Sequence, residues 1–113
     1  RLFDAVSAIS NICVINSFEA EAPMRLEAAI AENCYDKYPY LISNVVCFDE
    51  VVKGIVSDLK NSTKASVISA KFHNTIISVI LDMAVYAKAN YNINKLQFNT
   101  NYIFVFFYYF CIS

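Results

Sequence analysis

The chain has 113 residues, 58% of them hydrophobic and 17% charged, and a net charge of −1 at pH 7. That length allows one domain with one core, and an apolar share above the usual ~45–50% implies surface that belongs against another body. Seven lysines and two arginines, scattered singly, make no basic face, which excludes a nucleic-acid module.

In chain order, Val6, Ile9, Ile12 and Cys13 are spaced as a helix over 4–15, with Asp4 in a first turn whose dipole suits a carboxylate. A second helix is predicted over 19–33. Glu19 and Glu21 open it, Pro23 is tolerated in its first turn, and Met24, Leu26, Ala28, Ala29 and Ile30 form its apolar side. The period then changes. Tyr38–Ile42 and Val45–Phe48 are short β-prone runs around Ser43-Asn44, which predicts a hairpin. Asp49 starts a third helix with Val51, Val52, Ile55, Val56 and Leu59 inward. Asn61-Ser62-Thr63 breaks it, and Ser62 or Thr63 is expected to cap a long fourth helix reaching about Asn90. Val67, Ile68, Phe72, Ile76, Val79, Ile80, Met83 and Tyr86 form its apolar stripe, the strongest periodic signal in the sequence.

Beyond Asn90, Asn92, Asn94, Asn99 and Asn101 punctuate a polar link. It leads into the uncharged run Tyr102–Ile112. Those eleven residues are too few for a membrane-spanning helix, which needs roughly 20. The run reads as a buried strand or an aggregation-prone end, and no membrane association is expected. Cys13, Cys34, Cys47 and Cys111 lie far apart, and His73 is the sole histidine. A structural metal is therefore not expected, and the cysteines read as reduced, mostly buried thiols of a cytoplasmic protein.

Three stretches stand in a telling order. They are Arg1-Leu2-Phe3-Asp4-Ala5-Val6-Ser7-Ala8, then Phe18-Glu19-Ala20-Glu21-Ala22 with Leu26-Glu27 behind it, then Lys71-Phe72-His73-Asn74-Thr75. Each alone is a plausible piece of amphipathic helix. Together, over residues 1 to about 95, they resemble the late part of the HypF-type carbamoyltransferases that mature nickel–iron hydrogenases. The resemblance implies a mainly α chain with a short β-hairpin, the helical part of the C-terminal lobe of an actin-like ATPase (ASKHA) α/β fold. Residues 1–95 would be that partial lobe and 96–113 a divergent or truncated aromatic tail.

The resemblance also implies a chemistry. In the intact family an upstream domain makes carbamoyl-adenylate from carbamoyl phosphate and ATP, and the actin-like domain passes the carbamoyl group to the C-terminal cysteine of the partner HypE. ATP and a divalent metal are implied for the intact protein. Carried onto this sequence, Asp4 would meet the ribose hydroxyls of the adenylate, Glu19 and Glu21 would face the carbamoyl pocket, and Arg1 and His73 would support them. Plain structural roles compete: Asp4 as a first-turn residue contacting Arg1, the glutamates as partners of a helix dipole, His73 as a core histidine bonded to a carbonyl.

The departures are as specific as the matches. Ala20 stands where the family has glycine and Pro23 where it has alanine. The metal-binding histidines are absent, and the aromatic tail replaces a glycine loop whose amides hold the nucleotide. The only glycine is Gly54. The chain alone is thus expected neither to bind ATP tightly nor to transfer carbamoyl groups. The alternative is a small helical interaction module that binds a protein partner through its apolar surface.

Overall fold

The structure, a computed structural model, describes residues 2–43 and 45–92 together with the backbone of 96–97 and 111–112. Helix α1 (Leu2–Ile9) packs on α2 (Glu21–Ala28). An extended segment leads into strands β1 (Leu41–Ile42) and β2 (Val46–Cys47), followed by α3 (Asp49–Lys60) and α4 (Ala65–Tyr91). The hairpin is antiparallel with Leu41 opposite Cys47 and Ile42 opposite Val46. The mainly α reading with a short hairpin therefore holds. The predicted aromatic tail falls largely outside the described residues; flanking it, β3 (Leu96–Gln97) pairs antiparallel with β4 (Cys111–Ile112).

Helix α4 organises the core. Its residues Ile68, Phe72, Ile76 and Ile80 meet Val6 of α1, Leu26 of α2, Tyr38, and Val51 and Ile55 of α3. Each fully buried aliphatic or aromatic side chain contributes about 1.5–3 kcal/mol of transfer free energy. The helix has neither a side-chain N-cap nor an acid in its first turn, so packing rather than end effects stabilises it.

The helix ends differ from expectation for one physical reason. Helix α1 stops at Ile9, not 15, because Asn11 turns left-handed (φ 57). Its N–H then reaches Ala8 O (3.0 Å) and that of Ile12 reaches Ser7 O (2.9 Å), closing a Schellman end. Helix α3 closes the same way. Ser62 (φ 59) bonds Leu59 O at 3.1 Å and Thr63 bonds Asp58 O at 2.9 Å. Ser62 and Thr63 thus finish α3 and do not cap α4, whose N-cap is Lys64. Helix α2 begins at Glu21 rather than 19 and ends at Ala28, since the N–H of Ala31 is diverted to Ser66 O of α4 at 3.0 Å.

Several predicted core residues also face outward. Val51 and Ile55 turn in, whereas Val52 and Val56, a ~100° step further round the helix, are exposed. Ile9 and Met24 are exposed too; on α4 Met83 is exposed and Tyr86 half-buried, because that helix outruns the elements that cover its first half. Cys13 is buried and Cys34 and Cys47 half-buried, all as free thiols. Gly54 is fixed by sterics. A Cβ there would stand 2.5 Å from Cδ1 of Tyr38, whose ring is buried and whose hydroxyl is tied to Asp58.

Candidate functional site

The three motifs meet on the N-terminal half of α4. Phe3 sets its ring edge-on against Phe72 (centroids 5.1 Å apart) and against His73 (5.9 Å). On the same helix Ser69 donates its hydroxyl to the carbonyl of Leu26, at the end of the second motif. The carbonyl of Ser69 in turn accepts the Nδ1–H of His73 at 2.8 Å. One turn of α4 therefore holds α1 through rings and α2 through the Ser69 hydroxyl. His73 is buried, and burial pushes its pKa down to about 4 against the opposing pull of the Ser69 carbonyl. The imidazole is neutral at pH 7, with its proton fixed on Nδ1. It supports the turn carrying Phe3 and Asp4 and is unsuited to deliver a proton.

Asp4 is half-buried in the first turn of α1, and no described side chain bonds its carboxylate. Arg1 lies outside the described residues. Glu19 is exposed in the turn before α2. Glu21, in contrast, is 2% exposed. Its Oε2 accepts the N–H of Ser17, and its Oε1 pairs with Arg25 Nη2 at 2.9 Å. The Ser17 amide holds this carboxyl below its usual value, outweighing burial, and Arg25 adds to the effect. Asn16 accepts the N–H of Ala22 at 2.7 Å and so caps α2 from six residues upstream.

Ala20, where the related motif has glycine, is the N-cap residue of α2 and sits at φ 64. A Cβ in the left-handed region costs about 1 kcal/mol. Ala20→Gly should therefore raise the unfolding free energy by about 1 kcal/mol in urea melts, with α2 unchanged by circular dichroism.

Asn74 and Thr75 work on the other flank of α4. Asn74 Nδ2 donates to the carbonyls of Cys34 and Asp36, both at 2.9 Å. Thr75 Oγ1 accepts the N–H of Tyr38 at 2.8 Å. Below them, Asp58 Oδ2 accepts both Tyr38 Oη–H and Lys71 Nζ–H, each at 2.7 Å, and Lys71 stands over the Tyr38 ring. Burial pushes the Asp58 carboxyl up, but the bonds from Lys71 and Tyr38 hold it lower. These groups come from positions 38, 58 and 71, so no local pattern could have announced them.

Among the described residues no group of three His, Cys, Asp or Glu side chains could hold a metal. A divalent metal therefore does not fit here, and no chemistry is routed through one. For a nucleotide the residues suit only the sugar end. Asp4, half-buried, and Glu19, exposed, are acceptors for paired hydroxyls, while the one glycine stands half-buried against the Tyr38 ring.

Comparison with known proteins gives a consistent result. The family model for the carbamoyltransferase Kae1-like domain, second subdomain, matches residues 1–99. The chain is 29% identical over 90 residues to the carbamoyltransferase HypF of Synechocystis sp., covering 74% of this chain and 12% of that protein. It is also similar to the crystal structure of full-length HypF in the phosphate- and nucleotide-bound form. That match has a TM-score of 0.70 and 34% identity over 81% of this chain and 15% of the other. The chain thus spans under a sixth of the length of either relative.

Proposed function

The chain belongs to the HypF carbamoyltransferase family, and from that premise we propose that it is the nucleotide-facing helical part of a HypF active site, the C-terminal lobe of an actin-like ATPase domain. The observation that carries this reading is the meeting of all three family motifs on one turn of α4. In the intact enzyme, a cysteine thiolate at the C-terminus of a HypE-like acceptor attacks the carbamoyl carbon of carbamoyl-adenylate. The new S–C bond replaces the C–O bond to phosphate, and AMP leaves. Within that reaction Asp4 accepts hydrogen bonds from the ribose hydroxyls, and His73 holds the turn that carries Asp4. The chain's described residues supply neither a phosphate loop nor a metal-ligand set, and the chain alone is inactive.

A chimera tests the proposal. The matched segment of the Synechocystis HypF is replaced by this chain, and turnover dependent on carbamoyl phosphate is measured. Retained activity supports the reading, and a folded but dead chimera sinks it. Within the active chimera, Asp4→Asn preserves shape and removes one charge-assisted bond of roughly 1.5–3 kcal/mol. Turnover should fall about 10- to 100-fold with little change in melting temperature. If stability collapses while turnover per folded molecule stays normal, Asp4 is a helix-end residue only.

A further inference from the structure

The two glutamates of the second motif are placed in opposite ways. Glu19 is exposed, whereas Glu21, at the first position of α2, is buried with both carboxylate oxygens engaged. Dipole complementation does not demand this, because an exposed carboxylate in the first turn achieves it without desolvation. The bonds show what the burial accomplishes. Glu21 grips the Ser17 amide with Oε2, and its own N–H donates to Phe18 O at 3.3 Å. From the opposite direction Asn16 takes the Ala22 amide, and Met24 N–H reaches Ala20 O at 3.1 Å. The five residues from Asn16 to Ala20 are thus fastened to the first turn of α2 at both ends, with Ala20 in a strained left-handed conformation. Asn16, Ser17, Phe18 and Glu19 are the exposed part of that loop.

We infer that Glu21 is a positioning residue: it fixes the 16–20 loop in one conformation so that Glu19, and not Glu21, is the carboxylate presented to the ligand. This rests on the reading of the site as nucleotide-facing. A side chain that is 2% exposed, with one oxygen on the Ser17 amide and the other on Arg25, cannot turn to a sugar or carbamoyl group without releasing the loop.

Backbone relaxation by nuclear magnetic resonance on the full 113-residue chain tests the first half. In Glu21→Ala the amides of 17–19 should drop from rigid order parameters near ~0.85 to below ~0.6, while those of α3 and α4 stay unchanged. Unchanged order in 17–19 would overturn the inference. Should Glu21→Ala fail to fold, Glu21→Gln decides through hydrogen exchange. Its uncharged oxygen is a weaker acceptor, so the Ser17 amide should exchange about tenfold faster while α4 amides do not; equal rates overturn the inference.

The chimera tests the second half. Glu19→Gln should raise KM at least about tenfold, and Glu21→Gln, which weakens but keeps the bond to Ser17, should raise it less than Glu19→Gln does. The reverse pattern makes Glu21 the ligand and overturns the inference. If neither variant alters an active chimera, presentation of Glu19 is overturned, and the nucleotide-facing reading then rests on the separate Asp4 result.

Discussion

Truncating Phe72 to alanine should lower the unfolding free energy by about 3–5 kcal/mol, the usual cost of a large aromatic lost from a closed core. Phe72 is fully buried, with Phe3 and His73 against its ring. A domain of this size has a total stability of only about 5–15 kcal/mol, so the variant should be partly unfolded at room temperature. Urea melts monitored by circular dichroism measure the effect. The exposed Val85 supplies the control, because its truncation should shift the midpoint little. If Phe72→Ala melts with the parent, α4 is not the centre of the core. A further consequence follows for the site: with the ring gone, α1 loses its lock on α4 and the turn carrying Asp4 loosens.

Acidification should destabilise the fold in two stages, and the first belongs to His73. Burial lowers its pKa from 6.5 to about 4. An unfolded chain takes up this proton near pH 6.5, and the folded one only near 4. Between those values the unfolded state binds more protons, so stability falls with falling pH at about 1.4 kcal/mol per unit, roughly 3 kcal/mol in all. Above pH 6.5 the contribution is flat. The second stage lies below 4.5 or so. There Glu21 and Asp58, both held lower in the folded state, lose their favourable charged forms. Glu27 acts in the opposite sense: burial raises its value, so the folded chain protonates it first and part of the loss is offset. Melts at pH 7, 5.5 and 4.5 trace the first stage, and His73→Gln should flatten it. A parent curve already flat between pH 7 and 4.5 would show that the imidazole is not buried.

The sequence announced what repeats and concealed what does not. The stripe Ile68, Phe72, Ile76, Ile80 was legible because a helix at the centre of a core must place apolar groups every three to four residues. The acidic start of α3 was legible for the same kind of local reason. The ends were not, because left-handed corners usually carry glycine and here carry Asn11, Ala20 and Ser62. The family motifs singled out Asp4, Glu19, Glu21 and His73 but not how these side chains are buried and bonded. The inward turn of Glu21 depends on a bond to Ser17, and the cap on α2 comes from Asn16. Side-chain bonds to a backbone four or six residues away leave no compositional trace. Val52 and Val56 looked inward because valine does not encode direction, and only the facing elements decide it.

The bonds that tie the first half of the chain to α4 have a consequence for the order of events during synthesis. Leu26 is fastened to Ser69, Ala31 to Ser66, Cys34 and Asp36 to Asn74, and Tyr38 to Thr75. Every partner lies within ten residues, 66–75, and each pair is separated by 35 or more positions along the chain. Until that decade has left the ribosome, α1, α2 and the segment around Tyr38 can meet one another or α3 but have nothing of α4 to anchor them. Released chains ending at residue 64 should be cut readily by protease throughout α1 and α2, and released chains ending at residue 92 should resist. The N-terminal motifs are thus written first and become structure last, at the moment α4 arrives to receive them.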